Sequence, residues 1–325
     1  MNYLAQRHPG VTVGEPTRPN DGLSSETYLV RASWDGADHD LVARLAPAEG
    51  LFPDYDLGLQ ARLQGDLPAL GVRTAAPLAF VEDRSWVDAP FLLMDRVDGR
   101  VLSDNPPFAR EGWLHDAGEE VQRAAFTGFL DALAAIHRVD AAAVGYAARR
   151  FGAGLTGEVA WWSDYLIWAT DGAPPLELAV TLEWCRDHMP DPEPPAGLLW
   201  GDVRLGNVLF DDGGTPTAVL DWEMASIGPA EVDLGWFFAL REMALPRGAV
   251  ELPGFLDRDA ALAYYAARLG REIGDLTWYE RFALVRSTAI LIRTQRLLVA
   301  QGQHDHWLVG FDPIPRRLKK FVAAP

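Results

Sequence analysis

Apolar and polar residues alternate along several short runs near the start of the chain, which is the pattern of strands with one buried face. Glycine, proline and aspartate separate these runs, and such residues favour turns. The runs together predict a small antiparallel sheet with one helix. The expected elements are strands at 27–32, 40–45, 77–81 and 91–97 and a helix at 54–67.

From about Arg100 onward the apolar spacing changes to three or four residues, which indicates helices. The first of them is long and carries its apolar face on Val121, Ala125, Phe129, Leu133 and Ile136. Further helices are expected at 157–170, 176–188, 230–244, 257–270 and 277–302. Two strand-like runs, 207–210 and 217–220, are expected to pair as a hairpin across the turn 211–214.

This change of pattern predicts two domains. The first, 1–96, is the small sheet, and the second, 97–325, is mainly helical with the hairpin inside it. The predicted fold class is therefore α+β. A chain of 325 residues that is 49% hydrophobic is long enough to build two such cores.

Composition and charge exclude several classes of protein. The one cysteine, Cys185, cannot form an internal disulfide framework. Residues 1–10 lack the apolar segment of a signal peptide, and no run of about 18 uncharged apolar residues predicts a membrane span. We therefore expect a cytoplasmic protein without a membrane partner. The formal charge of −17 disfavours nucleic acid as a partner, because it would repel a polyanion.

The segment 200–207 contains the candidate catalytic residues. Asp202 lies five residues before Asn207, and Asp221 follows 14 residues later, where the hairpin ends. Phosphoryl transfer needs a carboxylate beside the attacking hydroxyl, hard oxygen ligands for magnesium and a cation near the phosphate. Asp202 is the candidate base, and Arg204 is the candidate phosphate contact. Asn207 and Asp221 are the candidate metal ligands. Each residue alone would suit a polar turn, but the set in this spacing, which matches the protein-kinase catalytic loop, favours the chemistry.

The motifs Trp-Gly-Asp-Val-Arg-Leu-Gly-Asn at 200–207 and Leu-Asp-Trp-Glu at 220–223 resemble the signature of the aminoglycoside phosphotransferase and choline kinase superfamily. The subgroup they resemble includes the kinase-like domain fused to some acyl-CoA dehydrogenases. The likeness extends from about Asn20 to about Gly302. It implies a protein-kinase-like bilobal fold, ATP or GTP with Mg²⁺, and a small-molecule hydroxyl as acceptor. It also implies that the first domain binds the nucleotide and the second carries the acceptor site.

The resemblance implies phosphate contacts in the first domain. Gly22, Ser24 and Ser25 lie where the family has its glycine-containing phosphate loop. Arg44 stands where a protein kinase has lysine, and the chain has no lysine before Lys319. Because guanidinium binds phosphate through a fork of two hydrogen bonds, Arg44 can replace that lysine.

Other first-domain positions follow from the same resemblance. The helix partner of the strand arginine is expected to be Gln60 or Asp56. Backbone groups from Asp95 to Val97 are expected to bond the base of the nucleotide, and Met94 is expected to line its pocket. Plain core packing is the alternative for this methionine.

In the second domain, His137 is expected to be a buried, hydrogen-bonded residue and Asp233 a brace for the catalytic loop. Trp200 stands where many relatives have histidine, so the structural role of that histidine is expected to be met differently or lost. Aromatic residues can wall an acceptor pocket, although core packing is the alternative for each. The tryptophans concerned are Trp161, Trp162, Trp168, Trp184 and Trp236.

Two other functions compete with the kinase hypothesis. A pseudokinase that binds a nucleotide or metabolite is favoured by the missing lysine and by Gln60, but it would have no need of Asp202 as a base. A magnesium phosphohydrolase would use similar carboxylates without an acceptor. The acidic charge suits a cationic aminoglycoside or simply a well-solvated surface, whereas the subgroup resemblance points to a hydroxyacyl compound, and a macrolide also fits. The sequence does not indicate an oligomeric state.

Overall fold

The computed structural model describes residues 2–18, 26–244 and 251–323. The chain forms two compact units, Met1–Asp98 and Gly99–Pro325. The first is mainly sheet and the second mainly helical, so the expected α+β class is confirmed. The nucleotide and acceptor roles expected for the domains 1–96 and 97–325 stay predictions.

Unit 1 contains a five-stranded antiparallel sheet with the strand order β1-β2-β3-β5-β4. Its strands are β1 (Thr12–Val13), β2 (Glu26–Trp34), β3 (Ala37–Leu45), β4 (Pro77–Val81) and β5 (Phe91–Asp95). Its helices are α1 (Asn2–Arg7) and α2 (Leu57–Asp66), and a 3₁₀ turn at Leu67–Leu70 follows the second. Helix α2 corresponds to the predicted helix at 54–67, and α1 is an additional short helix that the sequence did not predict.

A two-residue turn joins β2 to β3. Trp34 pairs with Ala37, and Asp35 and Gly36 between them have φ angles of 53° and 75°. Positive φ at both positions is the geometry of a type I′ turn, whose twist matches that of the flanking strands. The predicted turn at 34–36 therefore sets the register that places Arg44 opposite Thr27.

The two faces of the sheet bury separate apolar clusters, as the alternation of side chains requires. On one face Leu41 and Leu93 pack with Tyr3 of α1, whose ring meets Phe91 edge-on at 5.3 Å. On the other face, α2 covers a cluster that consists of Leu57, Ala61, Ala75, Leu92 and Met94. Helix α1 is short and has little apolar periodicity of its own, so its place depends on these contacts.

Unit 2 consists mainly of helices with two small strand pairs. Its helices are α3 (Trp113–Asp116), α4 (Glu119–His137), α5 (Ala148–Phe151), α6 (Gly154–Ala169), α7 (Leu176–Asp187), α8 (Glu231–Ala244), α9 (Arg258–Leu269), α10 (Thr277–Ala300) and α11 (Arg316–Ala323). Its strands are β6 (Ala196–Leu199), β7 (Val208–Phe210), β8 (Pro216–Val219) and β9 (Ser226–Pro229). Strand β6 pairs with β9, and β7 pairs with β8, both antiparallel.

The predicted helices and the 207–220 hairpin are confirmed, with bounds that differ by a few residues. The pairing of β6 with β9 was not predicted, because these four-residue strands lie far apart in sequence. In the part of the chain that the structure describes, no helix combines the length and apolar character needed to cross a bilayer.

Helices α8 and α10 pack closely at Gly235. A Cβ atom built there would lie 2.6 Å from the carbonyl carbon of Tyr279, which is too close for two non-bonded carbons. The absence of a side chain at Gly235 therefore lets the two helix backbones approach.

We expect Gly235→Ala to lower the free energy of unfolding by about 1–3 kcal/mol, because the added methyl overpacks the α8–α10 contact. The matched control is Gly145→Ala, since a Cβ there would meet no atom of the described residues within 4 Å. Urea denaturation compares both variants with the unmodified chain. Equal midpoints for the two variants would show that the close approach does not constrain the fold.

Candidate active site

The segment 200–207 leaves β6 and reaches β7 through a 3₁₀ turn at Leu205–Asn207. Gly201 adopts a φ of 91°, and a Cβ there would lie 2.2 Å from the carbonyl oxygen of Met224. Only glycine combines this left-handed conformation with so close an approach. The residue before Asp202 is therefore fixed against the chain that follows Asp221.

A buried carboxylate holds the start of this loop. Asp233, on α8, has no exposed surface, and it accepts the backbone N–H groups of Trp200 at 2.7 Å and Gly201 at 3.1 Å. Nε2 of His137 donates to the same carboxylate at 3.0 Å, and Nδ1 of this ring is hydrogen-bonded to the hydroxyl of Tyr265. The predicted bracing role of Asp233 and the buried, hydrogen-bonded state of His137 are confirmed.

The indole of Trp200 links the loop to the end of the hairpin. Its Nε1 donates to the carbonyl oxygens of Leu220 at 2.8 Å and Asp221 at 3.2 Å, and the side chain is buried. Trp200 therefore fixes the backbone at Asp221. In this chain a tryptophan makes structural contacts at the position where the family pattern has histidine.

Three donors surround the carboxylate of Asp202, whose side chain is 17% exposed. Its Oδ2 accepts from Nε of Arg204 at 2.9 Å and from Nδ2 of Asn207 at 2.8 Å. Its Oδ1 accepts from the indole Nε1 of Trp236 at 3.1 Å. The structure thus brings Asp202, Arg204 and Asn207 together as predicted neighbours and adds Trp236 to them.

The other tryptophans of unit 2 occupy different places. Trp162 is buried and donates to Glu158 at 3.1 Å. Trp161 stacks on Tyr165, with 5.3 Å between the ring centroids. Trp184 stacks on His188 and meets Phe321 edge-on, and Trp168 lies beneath the guanidinium of Arg293. The acceptor-pocket role expected for these rings stays a prediction.

Arg204 forms ion pairs with two carboxylates, Asp202 and Asp104. The charge of Asp202, followed by those of Asp104 and Asp221, raises the pKa of the guanidinium above its ordinary value, so it stays charged. Asp104 was missed by the sequence interpretation because it lies 100 residues from Arg204. The contact of Arg204 with a nucleotide phosphate stays a prediction.

The two candidate metal ligands lie at the open end of the β7–β8 hairpin. The backbone N–H of Leu220 donates to the carbonyl oxygen of Asn207 at 2.8 Å, which places Asn207 beside the residue preceding Asp221. Asp221 has a φ of 58°, a left-handed conformation that is uncommon outside glycine and often marks a functional position. The nitrogen of the Asn207 amide is bonded to Asp202, which directs the amide oxygen away from that carboxylate.

The donor chemistry at this hairpin fits magnesium. Mg²⁺ prefers oxygen ligands and usually takes only one or two from the protein, with phosphates and water completing its shell. Asn207 and Asp221 supply an amide oxygen and a carboxylate. Among the described residues, no group of three or more His, Cys, Asp or Glu side chains is arranged to hold a metal. Two protein ligands suit a metal that arrives with a nucleotide.

In unit 1, Arg44 projects from β3 toward α2. Its Nη1 donates to Oε1 of Gln60 at 3.3 Å, and its Nη2 donates to the hydroxyl of Tyr55 at 2.8 Å. Asp56 instead caps the start of α2 by accepting the N–H of Leu59 at 2.8 Å. Of the two helix partners left open by the sequence, the structure therefore shows Gln60 bonded to Arg44 and adds Tyr55.

The residues expected near the nucleotide base make packing contacts and hydrogen bonds within unit 1. The side chain of Met94 is buried under α2, and its sulfur accepts from Gln64 at 3.8 Å, so it packs in the core. The N–H of Asp95 donates to Ala76, and the N–H of the next residue donates to Asp40. Val97 packs partly buried beside the cluster under α2. Base contacts from these two N–H groups would therefore compete with bonds already present.

The expected phosphate loop was assigned to Gly22, Ser24 and Ser25. These residues lie outside the described part of the chain. Their phosphate contacts stay predictions.

The sequence model of the Phosphotransferase enzyme family matches residues 15–282. The chain belongs to this family. The match covers strands β2 to β5 of unit 1 and the segment 200–207 of unit 2, as the resemblance of the motifs implied.

Solved structures similar to this family member show the same fold. A candidate aminoglycoside phosphotransferase from Ralstonia eutropha JMP134 is 23% identical with a TM-score of 0.69, and the match covers 92% of this chain and 88% of that one. A thermostable mutant of the aminoglycoside phosphotransferase APH(4)-Ia, in complex with AMP-PNP and hygromycin B, is 14% identical with a TM-score of 0.60 and 95% coverage of both chains. The protein-kinase-like fold class is thereby confirmed.

Similar curated proteins are much longer than this phosphotransferase family member. Mouse acyl-CoA dehydrogenase family member 10 is 27% identical over 285 residues, which are 83% of this chain and 25% of that protein. Rat acyl-CoA dehydrogenase family member 11 is 24% identical over 326 residues, which are 95% of this chain and 39% of that protein. The chain therefore spans between a quarter and two-fifths of these relatives, as expected for similarity to one domain of each.

We expect Asp233→Asn to lower the free energy of unfolding by about 1–3 kcal/mol, because an amide cannot accept from all three buried donors. Asp187→Asn, at the exposed end of α7, is the control and should leave stability unchanged. Urea denaturation followed by tryptophan fluorescence measures both. If Asp233→Asn is as stable as the control, the buried carboxylate does not brace the loop.

Proposed function

We propose that this member of the phosphotransferase family transfers the terminal phosphate of ATP or GTP to a hydroxyl group of a small molecule. The observation that supports this most is the joint placement of Asp202, Asn207 and Asp221. Asp202 is hydrogen-bonded to Asn207, and Asn207 lies beside the residue before Asp221. A base and two oxygen ligands are among the groups that phosphoryl transfer requires of a protein.

In the proposed reaction, the acceptor hydroxyl oxygen bonds to the terminal phosphorus while the bond from this phosphorus to the bridging oxygen breaks. The nucleoside diphosphate leaves, and the hydroxyl proton passes to the carboxylate of Asp202. The donors around Asp202 hold its carboxylate in one orientation, which positions it for the hydroxyl.

Asn207 and Asp221 would hold Mg²⁺ in this reaction. When bound, the ion neutralises charge on the nucleotide phosphates and on the transferring group. In unit 1, we propose that Arg44 contacts nucleotide phosphates, with Gln60 and Tyr55 orienting its guanidinium. The nucleotide role of residues 1–96, including Gly22, Ser24, Ser25, Met94, Asp95 and Val97, belongs to the same proposal.

The acceptor belongs to one of a few chemical classes. Similar structures include complexes with kanamycin and with hygromycin B, and a cationic acceptor suits the net charge of −17. The similar acyl-CoA dehydrogenase family proteins favour a hydroxyacyl compound. We propose a cytoplasmic reaction, since the free Cys185 suits a reducing compartment.

A pseudokinase is the second candidate. It is favoured by the pairing of Arg44 with the neutral side chain of Gln60, where a kinase usually has an ion pair with glutamate. Such a module would bind nucleotide without transferring phosphate.

The proposal is tested by a screen for nucleoside diphosphate release. Each reaction contains ATP or GTP, Mg²⁺ and one acceptor, which is an aminoglycoside, a macrolide or a hydroxyacyl compound. We expect release only with an acceptor, and we expect Asp202→Asn to lower kcat by about 10²–10⁴-fold, the usual contribution of a positioned base. Nucleotide binding should survive in this variant, whereas Asp221→Asn should lose the magnesium-dependent part of binding. Asp212→Asn, in the exposed turn of the same hairpin, is the control.

Three results would contradict the proposal. Unchanged turnover in Asp202→Asn would remove the base from the mechanism. Phosphate release without an acceptor would indicate a hydrolase. Nucleotide binding without turnover for any acceptor would favour the pseudokinase.

We expect Arg44→Gln to raise the KM for the nucleotide by about ten- to a hundredfold, because a charge-assisted hydrogen bond to phosphate is lost. The acceptor KM should change little. The matched control is Arg31→Gln. Arg31 is exposed on the neighbouring strand β2, and its side chain pairs with Asp40. Equal nucleotide KM values for the two variants, measured by steady-state kinetics, would place Arg44 outside the nucleotide site.

A further inference from the structure

The two oxygens of the Asp202 carboxylate are not equivalent. Its Oδ2 accepts two hydrogen bonds, from Arg204 at 2.9 Å and Asn207 at 2.8 Å. Within residues 2–18, 26–244 and 251–323, the indole Nε1 of Trp236 is the one group that donates to Oδ1, at 3.1 Å. A carboxylate oxygen has about two lone-pair sites, so Oδ2 is filled and Oδ1 keeps one site open. Oδ1 is therefore the oxygen that can take a proton.

Trp236 reaches this oxygen from the middle of α8, and its side chain is buried. Because its indole N–H points along one direction only, the contact sets the rotation of the carboxylate as well as its distance. Because the carboxylate is held in one rotation, the open lone pair of Oδ1 also points in one direction. A ring of similar size without the N–H would fill the space but would not impose this orientation.

Arg286, on α10, lies between Trp236 and Trp162. Its guanidinium carbon is 5.0 Å from the ring centre of Trp236 and 4.8 Å from that of Trp162, and the residue is 2% exposed. Its Nε and Nη1 atoms are buried, and among the described residues neither has a hydrogen-bond partner. The guanidinium therefore lies over aromatic faces, where a planar cation is favourable.

Nearby carboxylates balance the charge of this arginine. Burial lowers the pKa of the Arg286 guanidinium, while the charges of Glu158, Asp233 and Asp202 act in the opposite direction. A buried cation with two nitrogens unpaired among the described residues costs free energy, so stability alone does not explain an arginine at this position.

We propose that Trp236 and Arg286 are positioning residues for Asp202, in which the indole N–H orients Oδ1 toward the acceptor hydroxyl and Arg286 holds the indole plane. This inference rests on the proposed role of Asp202 as the base. It assigns the proton-accepting atom, Oδ1, and it extends the site to α8 and α10.

The test compares Trp236→Phe with Trp278→Phe. Trp278 is also buried, and its indole N–H donates to the carbonyl of Cys185 at 2.9 Å, so the control loses an equivalent hydrogen bond elsewhere. We expect Trp236→Phe to lower kcat by about ten- to a hundredfold with little change in either KM, because only the orientation of the base is lost. Trp278→Phe should keep the kcat of the unmodified chain.

A double-mutant cycle shows whether the effect passes through Asp202. In an Asp202→Asn background, Trp236→Phe should cause no further loss of kcat. Arg286→Met should lower kcat, and Arg286→Lys should not restore it, because an ammonium group cannot stack as a planar guanidinium does. Added to Trp236→Phe, Arg286→Met should give less than the product of the two single effects.

A second measurement does not depend on turnover. The ¹⁵N–¹H resonance of the Trp236 indole, assigned by its loss in Trp236→Phe, should shift in Asp202→Asn, while that of Trp278 stays in place. If this shift occurs but no acceptor supports turnover, the proposed function fails and the contact stands. Any one of three results would overturn the positioning role. These are an unchanged Trp236 indole resonance in Asp202→Asn, an unchanged kcat in Trp236→Phe, and a full effect of Trp236→Phe on kcat in the Asp202→Asn background.

Discussion

The hydrogen bonds from the backbone N–H groups of Trp200 and Gly201 to the carboxylate of Asp233 are the contacts on which the candidate site depends. They fix the chain one residue before Asp202, in a region where unsatisfied N–H groups would be costly. Gly201 is pressed against the carbonyl of Met224, and the indole of Trp200 bonds the backbone at Asp221. The buried carboxylate of Asp233 thus fixes the position of the loop, and the loop fixes the distance from Asp202 to the β7–β8 hairpin.

The charged group paired with Asp202 is opposite in sign to the net charge of the whole chain. The formal net charge is −17, yet Asp202 is paired with Arg204, and Arg286 is close enough for its charge to be affected by Asp202. The net charge therefore does not describe the field at the proposed reaction centre. Because salt screens exposed charges beyond about 10 Å, the neighbouring Arg204 affects the Asp202 carboxylate more than distant surface charges do.

Much of the fold followed from local sequence patterns. Period-two alternation and an Asp-Gly turn defined β2 and β3, and apolar spacings of three or four residues defined α4 and α10. Helix α1 was missed because its place depends on contacts of Tyr3 with the sheet rather than on its own pattern. The choice between Gln60 and Asp56 was also open, because sequence does not show that Asp56 is used to cap α2.

The motif at 200–207 identified residues that are near each other in sequence. It did not identify Trp236, which is 34 residues from Asp202, or Asp104, which is 100 residues from Arg204. Their contacts arise from the packing of α8 and from a distant loop, and no local pattern predicts such pairings. The central claim, that Asn207 and Asp221 hold the metal beside Asp202, is tested most directly by a crystal structure with Mg²⁺ and AMP-PNP. We expect the ion about 2.1 Å from an oxygen of Asn207 and of Asp221. An ion bound elsewhere, with neither residue in contact, would contradict the proposed metal site.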